Sequence, residues 1–191
     1  MKRFDLINEI VQSSVYAKDN ALLISNIGYC SRELFSVSDK PNNFYMLGSM
    51  GLASSIGVGL SLLQRRREVI VIDGDASVLM NLGTLATIAS SAPRNFHLFV
   101  ADNHVHGSTG GQPSHTASRT DLLQVAIGAG IKHAQKIGTK KELRSIFLGK
   151  KSLPTFILVD CEAGNKSTDI VSIKESVIKE RFMRFANNAL L

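Results

Sequence analysis

A chain of 191 residues with 44 % hydrophobic and 20 % charged residues is long enough for one sizeable core and too apolar for a disordered segment. The net charge of +6 and pI near 9.5 raise nucleic acid as a partner, but the basic residues are scattered and no recognised motif or aromatic stacking pattern accompanies them, so that class is set aside for an anionic small molecule. No apolar run reaches the roughly 18 residues of a bilayer span, and Met1-Lys2-Arg3-Phe4-Asp5 lacks the features of a signal peptide, so a cytoplasmic protein without a membrane partner is expected.

Phe4, Ile7, Ile10, Val11 and Val15 fall at helical spacing and predict a helix over about residues 4–17. Ala21-Leu22-Leu23-Ile24 reads as a buried strand, followed by a loop at 26–30 and a short helix from Ser31. Residues 44–47 read as a second short strand. Residues 51–63 read as a helix of small residues, which implies close packing. The densest basic cluster, Arg65-Arg66-Arg67, follows that helix, where the dipole favours cations. Further strands are expected at 69–72, 96–101, 132–136 and 155–159, and further helices at 79–90, 122–129, 140–148 and 173–187. This alternation gives an α/β fold, a parallel sheet flanked by helices on both faces, in a single domain over residues 1–191. Cys30 and Cys161 lack metal spacing and are expected as buried free thiols.

Two segments that follow apolar strands carry the chemistry. Asp75 lies in Val71-Ile72-Asp73-Gly74-Asp75-Ala76-Ser77, and Asn103 in Ala101-Asp102-Asn103-His104-Val105. They are 28 positions apart (103 − 75), the span of one βαβ step, which returns both loops to the carboxyl edge of a parallel sheet. A carboxylate and an amide oxygen meeting there are hard ligands suited to Mg²⁺ with a diphosphate; ordinary turns would use the same residues. Gly48-Ser49-Met50-Gly51 reads plainly as a helix entry with Met50 as core filler. Residues 107–118, rich in Gly and Ser, read as a mobile active-site loop.

Together these segments resemble the signature of thiamine diphosphate (ThDP) enzymes, Gly-Asp-Gly followed after about 25 residues by Asn-Asn. The resemblance implies that Asp75, Asn103 and the Val105 carbonyl hold Mg²⁺. It departs from the pattern at Ala76, in place of Gly, and at Asp102, in place of the first Asn; neither change removes a ligand. Gly48-Ser49-Met50-Gly51 looks like the turn from which a large apolar side chain, here Met50, bends the cofactor. Ser108-Thr109-Gly110-Gly111-Gln112, together with Ser25-Asn26-Ile27-Gly28 and Ser31-Arg32-Glu33-Leu34, resembles a narrower set. That set comprises sulfopyruvate and phosphonopyruvate decarboxylases and, for the first segment, 2-oxoacid:ferredoxin oxidoreductase β chains. No cysteine cluster for an iron–sulfur centre accompanies the last of these. The stretch from Asn43 to Gly59 and the tail from Ile173 to Met183 lean toward sulfopyruvate decarboxylase β subunits.

The resemblance implies a diphosphate-binding subunit of a heteromeric 2-oxoacid decarboxylase, converting 3-sulfopyruvate to sulfoacetaldehyde and CO₂ as in coenzyme M biosynthesis. Phosphonopyruvate is the rival substrate, and a non-catalytic subunit that kept the fold is a reading motivated by Ala76. The backbone of Gly74, Ala76 and Ser77 and the loop carrying Asn26 and Gly28 would contact the diphosphate, where a helix start favours anions. A glutamate that protonates the aminopyrimidine must then come from a separate pyrimidine-binding α subunit. His104, His106 and His115 are candidates for proton transfer or merely exposed loop residues. Lys166 reads better as a solvated lysine than as an anion ligand.

Overall fold

The computed structural model describes residues 1–17, 21–148 and 155–188. The expected first helix is interrupted. Helix α1 (Arg3–Gln12) stops where Ser13 turns extended and its hydroxyl donates to the Ile10 carbonyl at 2.6 Å, and α2 (Ser14–Ala17) resumes the path. Then follow β1 (Leu22–Ser25), α3 (Tyr29–Val37), β2 (Asn43–Tyr45), α4 (Ala53–Leu63) and β3 (Val69–Gly74). Helix α5 (Asp75–Met80) and α6 (Gly83–Ser91) lead to β4 (Phe96–Asp102). A hairpin of β5 (Val105–His106) and β6 (Gln112–Pro113) and a 3-10 turn (His115–Ala117) precede α7 (Leu122–Gly128), β7 (His133–Ile137), α8 (Lys140–Leu148), β8 (Thr155–Asp160) and α9 (Glu175–Asn187).

Six strands pair in parallel in the order β2-β1-β3-β4-β8-β7. Along β3, Val69 and Val71 face one core layer and Ile70 and Ile72 the other, as the two-residue pleat requires. The first layer packs under α4 to α7 and α9, the second under α1 to α3 and α8. Both faces are therefore covered, as expected of a parallel sheet. The small residues of α4 do bring it close: a β-carbon on Gly57 would lie 2.2 Å from Val71 Cγ2. The basic cluster is structural in part, since Arg67 is buried and its Nη2 donates to the Phe185 carbonyl at 3.1 Å. Cys30 and Cys161 are buried free thiols, both pushed up to about 12 by burial. Among the described residues no helix is long and apolar enough to cross a membrane.

Two segments differ from the sequence expectation. Asp75 does not sit in a loop before a helix at 79–90; it opens α5, and the helical stretch breaks at 81–82 before α6. The Gly-Asp-Ala-Ser composition reads as a turn, but Gly74 is extended and an acidic residue in the first helical turn is favoured by the dipole. Residues 107–118 are not structureless either, since β5, β6 and the 3-10 turn fall within or beside them.

A buried bidentate pair ties α1 to α3. Arg3 Nε and Nη2 donate to the two Glu33 oxygens at 2.9 and 2.8 Å, and Nη2 also reaches Asn165 Oδ1 at 2.9 Å. The Asn165 amide in turn donates to the Gly107 carbonyl at 3.0 Å. The N-terminal helix thereby braces the segment that follows β4.

Candidate active site

The strand order creates the site. After β1 the chain turns outward to β2, and then it crosses to β3 on the other side of β1. Loops leaving β1 and β3 diverge at their carboxyl ends and open a crevice, the usual ligand position in such sheets. A cleft of about 680 Å³, open to solvent, lies there and is lined by Asn26 after β1, Gly74 to Ser77 after β3, and Asn103 and Val105 after β4. Met50 lines it as well, along with Arg3, Tyr29 and Cys30.

The structure thus gathers Asn26, Met50, Gly74, Asp75, Ala76, Ser77, Asn103 and Val105 around one cleft. Gly28 is close by: it caps α3 with φ +72, where a side chain is strained, and a β-carbon there would meet Ser108 Oγ at 2.7 Å. Gly48 and Ser49 are exposed and line a neighbouring apolar groove between β2, α4 and α9 instead. Their turn still aims Met50 at the cleft. Gly51, at φ +92, donates its N–H to Ser77 Oγ at 3.0 Å, and Asn81 holds its carbonyl at 3.2 Å.

The donor set fits a cation and a diphosphate. Asp75 is 2 % exposed, and every side-chain hydrogen bond that the described residues give it falls on Oδ2, from Ser114 and from Thr116 at 2.9 Å. Asn103 is buried, with Oδ1 3.3 Å from the Val105 N–H, so the amide oxygen and the Val105 backbone occupy one turn. Asn26 Oδ1 is buried and meets no donor among the described residues, which leaves it open to a donor from water or a ligand. Among the described residues no group of three His, Cys, Asp or Glu side chains gathers for a metal. The candidate cation site is therefore of carboxylate, amide and carbonyl type, which suits Mg²⁺ and does not suit zinc.

Buried negative charge is concentrated here. Burial pushes Asp73 up to about 6 against hydrogen bonds from Ser77, the Gly74 N–H and Ser54, with Asp75 adding to the rise. Asp102 is also raised, first by burial and then by Asp75, while Thr116 and His104 pull it back. His104 stands at φ +62, its Nδ1 3.1 Å from Asp102 Oδ1 and its Nε2 3.4 Å from Asp160. Of the three histidines considered, His106 alone lines the cleft; His115 is exposed on the 3-10 turn. Lys166 is exposed, its Nζ 5.5 Å from the Phe4 ring centre, as a solvated lysine would be.

Sequence reasoning missed Ser114, Thr116, Asp73 and Arg3. The two hydroxyls lie 39 and 41 positions from Asp75, in a stretch whose composition announces only a loop. Arg3 precedes the periodic part of its helix. Asp73 had a signal, a carboxylate inside an apolar strand, which is costly unless it has a task.

Residues 26–161 match the family described as thiamine pyrophosphate enzyme, C-terminal TPP binding domain, where TPP is ThDP. The chain is 42 % identical over 185 residues to the sulfopyruvate decarboxylase subunit beta of Methanocaldococcus jannaschii, covering 95 % of each. It is 35 % identical over 184 residues to a sulfopyruvate decarboxylase of Methanosarcina acetivorans, covering 95 % of this chain and 47 % of that protein. The 2-oxoglutarate:ferredoxin oxidoreductase of Magnetococcus marinus shares the fold, with a TM-score of 0.70 at 17 % identity over 84 % of this chain and 62 % of that one. By matched length and identity, the chain belongs to the thiamine pyrophosphate enzymes and, within them, to the sulfopyruvate decarboxylase subunit beta group.

Proposed function

We propose that this chain is the diphosphate-binding subunit of a heteromeric ThDP- and Mg²⁺-dependent decarboxylase acting on 3-sulfopyruvate, releasing CO₂ and sulfoacetaldehyde. The observation that carries this reading is the convergence of Asp75, Asn103 and Val105 on the cleft in a chain related over nearly its whole length to a sulfopyruvate decarboxylase β subunit. When bound, ThDP supplies an electron sink for the pair left behind as CO₂ departs.

This chain's own residues position and shield. Asp75, the Asn103 amide and the Val105 carbonyl hold the cation. Backbone N–H groups of Ala76 and Ser77, free of helical partners at the start of α5, meet the diphosphate with the Asn26 loop. Met50, whose turn is held by the Gly51–Ser77 bond, lines the cleft and would lie against the cofactor, where holding the reacting groups together does much of the work. His106 is the imidazole on the cleft wall available to hold a proton.

A second subunit supplies the pyrimidine-binding half and its glutamate. Two features support this. The matched segment makes up only 47 % of the Methanosarcina relative. Apolar Leu47 and Leu52, flanking Met50 in sequence, and Met80, beside Gly51, stand exposed, and exposed apolar side chains of this kind mark interfaces. The test is CO₂ release from 3-sulfopyruvate by the complex co-purified through a tag on this chain, with phosphonopyruvate in parallel. Release from sulfopyruvate supports the assignment, and release only from phosphonopyruvate replaces the substrate. Robust turnover by the isolated chain would refute the need for a partner.

A further inference from the structure

We propose that Ser114 and Thr116 are positioning residues for the cation site, fastening Oδ2 of Asp75 so that the hairpin and the cation close the site together. This rests on the reading of Asp75, Asn103 and Val105 as cation ligands. Two of those three ligands begin the segment that makes the hairpin. Val105 pairs with Pro113 and His106 with Gln112, and the Ser114 N–H donates to the His104 carbonyl at 2.9 Å. The segment thus leaves from Asn103, turns, and returns beside its own start. At that return Ser114 Oγ donates to Asp75 Oδ2, and Thr116 Oγ1 stands 2.9 Å from the same oxygen.

The contact is chemically specific. Thr116 Oγ1 also lies 2.7 Å from Asp102 Oδ1 and 2.8 Å from Ser114 Oγ. A hydroxyl has one proton to give, so a single threonine cannot serve Asp75 and Asp102 at once. Ser114 supplies the second proton. With both hydroxyls present each carboxylate receives a hydroxyl proton; with either removed, a single hydroxyl is left for both, and beyond it Asp102 has His104, whose Nδ1 lies 3.1 Å from its Oδ1. Both hydroxyl oxygens lie beside Oδ2, which restrains the rotation of the Asp75 carboxylate.

Coupling follows by linkage. A cation that binds Asp75, Asn103 and Val105 and a pair of hydroxyls that bind Asp75 restrain the same segment, so each favours the other. A ligand's supporting hydrogen-bond partner is commonly worth about 10–100-fold in metal affinity.

The experiment uses the assembled complex with ThDP and reads Mn²⁺ affinity by paramagnetic resonance, with trypsin cleavage after exposed Arg119 as a second readout. Thr116→Val is isosteric and should weaken Mn²⁺ by about 10–100-fold. Ser114→Ala should do the same, and Thr116→Ser should restore affinity. Mg²⁺ with ThDP should slow cleavage at Arg119 in the unaltered complex and lose that effect in Thr116→Val. Unchanged Mn²⁺ affinity and unchanged protection in both hydroxyl-less variants would overturn the proposal while leaving the cation site in place. Failure of Thr116→Ser to restore affinity would also overturn it, by making the side chain's shape the cause. If the unaltered complex itself takes up no Mn²⁺ with ThDP, the cation-site reading falls, and the positioning role falls with it.

Discussion

Glu33 and Asp73 are both buried carboxylates, 1 % and 0 % exposed, yet their surroundings are opposite. Glu33 meets the Arg3 guanidinium through both oxygens and accepts the Lys166 N–H at 3.0 Å as well. Its charge is balanced within the chain. Asp73, Asp75 and Asp102, close together, are served by hydroxyls, a backbone N–H group and His104 rather than by a bidentate guanidinium. A fold that wanted only stability would not bury that imbalance. The Glu33 region braces the wall behind the cleft, and the Asp73–Asp75–Asp102 region carries the unbalanced charge that the proposed cation would offset. Unbalanced buried charge therefore distinguishes the site from its support.

The sharpest way to break this contrast is Asp75→Ala. It removes the proposed ligand and one of the three carboxylates together, and should lower decarboxylation by the complex by more than about a hundredfold while leaving thermal stability without cofactors undiminished. Activity retained at the level of the unaltered complex would end the cation-site reading. Glu33→Gln should do the reverse. Leaving Arg3 buried beside a neutral partner costs about 3 kcal/mol or more, which for a chain of this size lowers the melting temperature by roughly 10 °C. Replacing the pair together, Arg3→Met with Glu33→Leu, should recover most of that loss. A large loss in the double variant would show that the pair does more than balance itself.

Asp73 gives the comparison a pH signature. Its carboxyl is raised from 3.8 to about 6, so the folded state prefers the proton. The associated stability is complete below about 3.8 and is lost as pH rises through about 6. The gap corresponds to about 3 kcal/mol. Without Mg²⁺ and ThDP, denaturant unfolding of the complex should therefore show Asp73→Asn more stable than the unaltered protein at pH 7, with the difference closing toward pH 4. An Asn fits, since its oxygen can accept the Gly74 N–H and its amide can donate to Ser54. Equal stability of the two at pH 7 would place Asp73 outside the unbalanced group.

How much of this was legible depended on range. Apolar runs such as Val69–Gly74 and Phe96–Asp102 are local signals of strand, and the helices between them imply the parallel sheet. The strand ends that carry Asp75 and Asn103 follow from one βαβ step, so the approach of these two residues to one cleft was visible too. Ser114 and Thr116 were not, because their contact with Asp75 depends on how a hairpin folds back, and Gln112-Pro113 beside Gly110-Gly111 announces a turn without saying where it lands. The Arg3–Glu33 pair is hidden for the same reason: helical periodicity places the apolar face of α1, and a charged residue at its first turn carries no mark of its partner 30 positions on. Gly48 and Ser49 show the opposite error. The resemblance of Gly48-Ser49-Met50-Gly51 to a cofactor-bending turn implied cleft residues, but of these Met50 lines the cleft while Gly48 and Ser49 line the neighbouring groove, with positive φ at Ser49 and Gly51.

The smallest effect is expected at Ala76, the residue whose departure from glycine raised a non-catalytic reading. If the site depends on the charge of the Asp73–Asp75–Asp102 group and on backbone N–H groups, a methyl at position 76 is nearly irrelevant. Ala76 stands at 8 % exposure in the first turn of α5, in helical conformation that any residue adopts, and its N–H is the same whether or not a β-carbon follows. Ala76→Gly gives up helix propensity worth up to about 1 kcal/mol and removes one methyl from the cleft wall. Calorimetric titration of the Mg²⁺-loaded complex with ThDP should find affinities within about threefold of each other, since that range corresponds to roughly 0.7 kcal/mol. A gain of tenfold or more would mean that the methyl obstructs the diphosphate, and that shape at position 76 competes with charge in setting how tightly this subunit holds its cofactor.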